Sequence, residues 1–154
     1  MTDFYKLIQA MIASLGLQAD PDSDLLVLEA QGHQAVVSSC RLPSGDEGVL
    51  IQISTRPLPQ AVDGSTADAL RMLHHLNHEA RTMTPWRIVL SDDDVLMVQQ
   101  TCLLSLGEDG VQKILLDGLE RVEQLQALLD DWLLQSNASE LPLAGGPNGH
   151  IVFA

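Results

Sequence analysis

The stretch from Ser105 to Leu134 is predicted to be one long amphipathic helix, and this feature most constrains the fold. Its apolar residues recur at a spacing of about 3.6 and therefore share one stripe. They are Val111, Ile114, Leu115, Val122, Leu125, Leu129, Trp132 and Leu133. Ser105-x-x-Glu108 is typical of a capping box at the helix start. Gly118 costs about 1 kcal/mol relative to alanine inside a helix, which predicts a close packing contact there.

Two strand-like runs precede this helix, and they predict a sheet for its stripe to cover. Trp86–Leu90 and Val95–Leu104 flank the acidic turn Asp92–Asp94, an arrangement that favours an antiparallel pair. Upstream, a capped apolar segment predicts another helix that begins at Ser65 and is closed by Pro85. This half of the chain is therefore one αββα unit.

The first half supplies a helix and three more strands. Thr2 can cap a helix that Gly16 ends, with apolar positions spaced i, i+3, i+4, i+7. These positions are Phe4, Leu7, Ile8, Met11, Ile12 and Leu15. The strand-like runs are Leu25–Ala30, His33–Arg41 and Val49–Thr55. Turn residues separate them, so they should pair as an antiparallel meander, with Val49, Ile51 and Ile53 facing the core.

Together these segments predict an α+β fold in the order α-β-β-β-α-β-β-α, with an antiparallel sheet packed by helices. A chain of 154 residues is long enough for one domain with a real core. We assign residues 1–135 to this domain. Residues 136–154 have no hydrophobic periodicity and are expected to form a flexible tail.

The charge balance excludes several classes of partner. Eight Lys and Arg against 21 Asp and Glu give a formal charge of −13, which repels phosphate backbones and anionic lipid surfaces. Nucleic acid is therefore not expected as a partner. The apolar runs are far shorter than the roughly 20 residues that span a bilayer. Met1-Thr-Asp-Phe lacks the basic start of a secretory signal, so we expect a cytoplasmic protein.

The candidate chemical sites lack the surroundings that catalysis needs. Cys40 and Cys102 form no Cys-x-x-Cys pair and are interpreted as ordinary thiols in strands. His74 and His78 share one helix face, and His75 adjoins them, so they could grip one metal ion. The order His-x-x-His-Glu nevertheless matches neither the zincin motif nor its inverted form. We therefore predict no metal site there.

Two further stretches of sequence resemble ligand-binding loops but lack residues that those loops require. Asp20-Pro-Asp22-Ser-Asp24 resembles the opening of a calcium loop, but Leu25 and Gln31 stand where glycine and a bidentate glutamate belong. The glycine-rich stretch at residues 145–149 lacks the lysine of a phosphate-binding loop, and no serine lies in a Gly-x-Ser-x-Gly elbow. The sequence therefore predicts no catalytic residue and no cofactor, and we do not expect an enzyme.

The element order over residues 3–134 resembles the type III secretion chaperones of the CesT/SycE (Tir chaperone) family. Several segments carry this likeness. They are Leu7-Ile8-x-x-Met11-x-x-x-Leu15-Gly16-Leu17, Ala69-Leu70-x-x-Leu73-x-x-Leu76-Asn77, the strand pair Ile88-Val-Leu90 and Val95-Leu-Met-Val98, and the closing helix with Trp132. Small size, strong acidity and abundant leucine are also expected of that family.

The resemblance implies a homodimer that binds the N-terminal chaperone-binding segment of a secreted effector. Without ATP, such a protein keeps its effector soluble and competent for export. By analogy, the helix from Ser65 and the strand after it form the dimer contact, and the expected interface residues are Leu70, Leu73, Asn77, Trp86 and Ile88. Apolar patches on the first helix and first strands would receive the effector, and the expected contacts are Leu7, Met11, Val36 and Leu50.

Two alternatives remain open at this point. YbjN-like proteins share the αββα half and are linked to regulation or remain uncharacterised, and an adjacent effector gene would favour the chaperone over this class. A small acidic metal-dependent enzyme using the histidine cluster is the third hypothesis, which metal analysis of the purified protein would test.

Overall fold

A computed structural model describes residues 3–17, 24–56, 85–91 and 95–139, with side chains in the last helix described as far as residue 131. Two long helices and five strands make up these residues. They are α1 (Asp3–Leu15), β1 (Leu25–Ala30), β2 (His33–Arg41), β3 (Glu47–Ser54), β4 (Arg87–Leu90), β5 (Leu96–Leu103) and α2 (Gly107–Ser139). The predicted α+β class with an antiparallel sheet is confirmed.

The predicted boundaries agree closely with the structure. The bounds of β1 and β2 are those predicted, and Gly16 follows α1 in the left-handed conformation with φ of 65°. The predicted cap of α2 is wrong, because Ser105 lies inside a short 3₁₀ turn and the helix begins at Gly107. At its other end α2 continues to Ser139, beyond the predicted domain boundary at residue 135. The helix predicted from Ser65 lies outside the described residues.

The five strands form one antiparallel sheet in the order β1-β2-β3-β5-β4. Strands β1 and β2 are joined by a two-residue turn at Gln31 and Gly32, with φ of 55° and 79°. Positive φ at both central positions is what a type I′ hairpin requires, and this turn suits the twist of the flanking strands. The predicted meander of the first three strands is confirmed.

One face of the sheet carries the core. Strand register aligns Leu26 with Val37, Val37 with Ile51, and Ile53 with Val98, so that alternate residues of neighbouring strands share this face. Helix α2 packs against β3, β5 and α1. The buried helix residues join the same cluster; they are Phe4, Leu7, Ile8, Met11, Val111, Leu115, Leu119, Val122, Leu125 and Leu129. The amphipathic stripe predicted for α2 is therefore buried along its described length.

A tryptophan at the start of β4 packs directly onto α2. Trp86 is only 5% exposed, and its indole Nε1 donates a hydrogen bond to Asp117 Oδ2 at 2.6 Å. A Cβ atom added to Gly118 would lie 2.4 Å from the Trp86 ring and 2.6 Å from Ile53 Cδ1. The close packing contact predicted at Gly118 is thus confirmed, because only a residue without a side chain leaves room for the indole.

A second polar contact ties the end of β3 to the same helix. The backbone N–H of Arg56 donates to Gln126 Oε1 at 2.8 Å, and its guanidinium contacts Asp130 Oδ2 at 3.2 Å. Gln126 in turn donates to Asp130 at 2.9 Å. Residues 56 and 86 therefore lie on either side of the undescribed segment 57–84, and both are fixed to α2.

Candidate partner-binding surface

The sheet face opposite the core is the main candidate for binding. Because side chains alternate along a strand, the register places one residue of each strand in rows across this open face. One row runs Val27, Val36, Gln52, Gln99, Arg87, and the next runs Leu25, Ser38, Leu50, Thr101. In the part of the chain that the structure describes, both long helices pack on the other face.

Aliphatic side chains cluster on the part of the open face formed by β1, β2, β3 and the end of β5. Val27 is 49% exposed and Leu25 is 43% exposed, while Val36 and Leu50 are half-buried. Leu103, at the end of β5, is 47% exposed. These five residues are called the aliphatic patch below. Clustered exposed aliphatic residues on one sheet face are typical of an interaction surface rather than of a solvated one.

Charged residues are confined to the margins of this face. Glu29 lies on the outer strand β1 and Arg87 on the outer strand β4, whereas the face positions of β2, β3 and β5 carry neither acids nor bases. Their polar groups are amides and hydroxyls. Gln52 Nε2, for example, donates to Gln99 Oε1 across β3 and β5 at 3.2 Å. In a chain of net charge −13, this uncharged surface stands apart from the rest.

Two of the four residues predicted to contact a partner lie on this face. Val36 and Leu50 are on β2 and β3, on the side opposite the core as predicted. Leu7 and Met11 are not at the surface, since they are 6% and 0% exposed and belong to the core cluster. Their placement on a surface patch was wrong because α1 has a single apolar stripe, and the sheet and α2 bury it.

The structure describes only two of the five residues predicted for the dimer contact. Leu70, Leu73 and Asn77 lie outside the described residues. Trp86 faces α2, and Ile88 is half-buried on the core side of β4, where it packs against the cluster. Within one protomer these two side chains are therefore directed inward, and their predicted place in a dimer contact stays a prediction.

Sequence reasoning missed Leu25, Val27 and Leu103 as surface residues. The run Leu25-Leu26-Val27-Leu28 is apolar throughout, so the sequence offers no alternation by which to separate its two faces. The pairing register of β1 with β2 could have identified these surface residues. Once Val37 is assigned to the core, a hairpin with a two-residue turn places Val27 beside Val36 on the opposite face.

The structure adds no support for a reactive cysteine or for a metal site among the described residues. Burial raises the pKa of the Cys40 thiol, and burial together with the nearby Cys40 raises the pKa of the Cys102 thiol. A raised pKa lowers the thiolate fraction at neutral pH, which is the opposite of what a nucleophilic cysteine needs. The described residues hold no group of three or more His, Cys, Asp or Glu side chains placed for a metal ion. His74, His75 and His78 lie outside them.

Across residues 3–17, 24–56, 85–91 and 95–139, no helix combines the length and apolar character needed to cross a bilayer. The longest helix, α2, has charged residues along its outer side, including Glu120 and Glu123.

Comparison with known proteins gives a relative in structure but none in sequence. No protein-family model matches this chain, and no curated protein matches it. A chain in the crystal structure of the ExsC–ExsE complex is similar to it, with a TM-score of 0.60 at 15% sequence identity. The similarity covers 81% of this chain and 92% of that chain. At this identity the likeness shows that the two chains share a fold.

Proposed function

We propose that this protein is a cytoplasmic type III secretion chaperone. It would bind the N-terminal segment of a secreted effector and keep that segment soluble and export-competent without ATP. The observation that carries the proposal is the open sheet face, whose centre is aliphatic and uncharged in a strongly acidic chain. The sequence resemblance to these chaperones and the fold shared with a chain of the ExsC–ExsE complex support it.

The chemistry of this face suits an extended polypeptide. Protein interfaces are depleted of charged residues at their centre and bury aliphatic side chains there. An extended segment presents side chains alternately and can place every second one on the aliphatic patch. Among the described strands, β1 is an outer strand of the sheet, so a bound segment can also lie along its edge.

We further propose that the protein acts by binding and is not an enzyme. The raised pKa values of both cysteine thiols are consistent with this, because neither thiol is activated as a nucleophile. At the centre of the open face, on β2, β3 and β5, the polar oxygen and nitrogen groups are neutral amides and hydroxyls, which suit recognition of a polypeptide backbone more than acid–base chemistry.

Binding is tested with purified N-terminal fragments of secreted proteins encoded beside this gene. Replacing Val36 and Leu50 by lysine would place two charges where an apolar segment must lie, and desolvating them is costly. We expect at least a tenfold loss of affinity for the captured fragment in isothermal titration calorimetry, with the far-UV spectrum unchanged.

A matched control carries Glu120→Lys and Glu123→Lys on the exposed side of α2, away from the open face. This control should retain binding. Equal affinity of the open-face variant and the wild type would contradict the proposed surface. Failure of every fragment to bind, together with normal secretion after deletion of this gene, would contradict the chaperone function and favour a YbjN-like regulator.

We also propose a homodimer whose contact involves the segment from Ser65, with Leu70, Leu73 and Asn77. Light scattering should give about twice the monomer mass of 16.7 kDa at micromolar concentration. Leu73→Asp should abolish the dimer, because an unpaired charge in a desolvated contact is costly. A wild-type mass and melting temperature for Leu73→Asp would contradict this assignment.

A further inference from the structure

Two residues of opposite charge lie on the open face, one on each outer strand of the described sheet. Glu29 is on β1 and Arg87 is on β4, and both are exposed. The register places Arg87 in the row that begins with Val27, and Glu29 lies in the next row, beside Gln34. The other strand positions of this face carry no charged side chain. The face is therefore an uncharged surface with a carboxylate at one margin and a guanidinium at the other.

Neither of these two charges is neutralised by a neighbour. Glu29 and Arg87 belong to none of the ion pairs among the described residues, whereas Arg56 contacts Asp130 at 3.2 Å. A guanidinium can form two parallel hydrogen bonds with a carboxylate. Arg87 can therefore hold an acidic side chain of a partner, and Glu29 can hold a basic one.

The spacing of the two charges matches an extended polypeptide. From β1 to β4 there are four steps between neighbouring strands, through β2, β3 and β5. At about 4.8 Å for each step, with one row of about 7 Å between them, Glu29 and Arg87 lie about 20 Å apart. An extended segment rises about 3.3 Å per residue, so its residues i and i+6 span this distance. Because side chains alternate, both of these residues can face the sheet.

The groups between the two charges are aliphatic towards β1 and amides towards β4. Val36 on β2 is half-buried, and the Gln52 and Gln99 side chains on β3 and β5 are hydrogen bonded at 3.2 Å. Residues i+2 and i+4 of a segment that crosses the strands would also face the sheet. The first would lie over Val36 and the second over the pair of amides.

We propose that the bound segment crosses the strands of the open face and carries two charges of opposite sign. A lysine or arginine pairs with Glu29, and an aspartate or glutamate six residues away pairs with Arg87. Between them, the side chain nearer the base is aliphatic and the one nearer the acid is an amide or a hydroxyl. This inference rests on the proposed function and specifies the partner's chemistry at that same site. The aliphatic contact supplies burial, and the charges fix orientation and register.

The test uses capped synthetic peptides, whose charges are those of their side chains alone. In the dipolar probe the residues that face the sheet are Lys, Leu, Gln and Glu, with serine between them. A neutral probe replaces both charges by glutamine, a dilysine probe replaces the acid by lysine, and a spacing probe places the acid five residues from the base. Affinities are measured by NMR titration of the labelled protein at physiological ionic strength, which screens distant charges.

Wild-type protein should bind the dipolar probe at least fivefold more tightly than the neutral probe or the spacing probe. It should also prefer the dipolar probe to the dilysine probe, although a net charge of −13 alone would favour dilysine. In the spacing probe one charge faces away from the sheet, so its affinity should be close to that of the neutral probe.

Three variants separate the two local charges from net charge. Arg87→Glu should reverse the preference, so that the dilysine probe binds at least fivefold more tightly than the dipolar probe. Lys113→Glu, on the exposed side of α2, makes the same change in net charge and should keep the wild-type preference. Glu29→Arg combined with Arg87→Glu leaves net charge unchanged and should restore the preference for the dipolar probe, which then binds in the opposite orientation. Thermal melting confirms that each variant is folded.

Equal effects of Arg87→Glu and Lys113→Glu would show that only net charge matters and would overturn the proposal. Equal affinity for the dipolar and spacing probes would overturn it too, as would no detectable binding of the dipolar probe. If natural effector fragments bind through Val36 and Leu50 but the dipolar preference is absent, the proposed function stands and this inference fails.

Discussion

Replacing Gly118 by alanine should destabilise the protein, although alanine favours helices over glycine. The added Cβ would lie 2.4 Å from the Trp86 ring and 2.6 Å from Ile53 Cδ1, and both partners are buried. Overpacking of this kind costs about 1–3 kcal/mol, against about 1 kcal/mol gained in helix propensity. The balance is a net loss of up to about 2 kcal/mol in the free energy of unfolding, measured by urea denaturation.

The control for this effect lies on the same helix. Glu120→Ala changes an exposed residue and should alter stability by no more than about 0.5 kcal/mol. A second comparison combines Gly118→Ala with Trp86→Phe, since phenylalanine lacks the ring atoms that the new methyl group would meet. If contact with the indole causes the loss of stability, the double variant should lose less free energy of unfolding than the sum of the losses in the two single variants. An increase in stability for Gly118→Ala alone would show that the indole contact is not tight.

Gly118 illustrates what a sequence can predict. A glycine inside a strongly periodic helix is unfavourable, so its presence predicted a close contact, and the contact exists. The partner was beyond prediction, because Trp86 precedes Gly118 by a long stretch of chain and only the tertiary fold brings them together. Trp86 was instead assigned to a dimer contact, as its exposed or buried state cannot be deduced from a short apolar strand.

The strands show the same division between local and tertiary information. Turn residues and hydrophobic alternation predicted the ends of the five strands to within about two residues, because these signals are local. The faces of β3 were predicted correctly because its sequence alternates. Strand β1 has no alternation, so the exposed positions Leu25 and Val27 were recognised only after pairing with β2 was known.

Helix α1 shows why the candidate site was only half predicted. Leu7 and Met11 lie on one stripe, and a stripe that binds a partner has the same spacing as one that binds the core. The core takes precedence when a helix has a single apolar face and a sheet lies beside it. Val36 and Leu50 were placed correctly because a strand has two faces, and assigning one to the core leaves the other free.

Met11→Ala should therefore destabilise the fold rather than weaken partner binding specifically. Met11 is 0% exposed, and truncating a buried methionine leaves a cavity that costs about 2–5 kcal/mol. In a chain of this size we expect a fall in melting temperature of about 2–4 °C for each kcal/mol. Differential scanning calorimetry measures this fall directly.

Val36→Thr provides the contrasting variant on the open face. Threonine keeps the branched shape that suits a strand, so stability should change by less than about 1 kcal/mol. Affinity for an effector fragment should fall, because a hydroxyl replaces a methyl group where the segment is expected to lie. The two variants therefore distinguish a folding role from a binding role. Met11→Ala should lower the melting temperature, and the protein that remains folded should bind the fragment with normal affinity. Val36→Thr should keep the stability and lose affinity. A stable Met11→Ala protein with reduced affinity would instead return α1 to the binding surface.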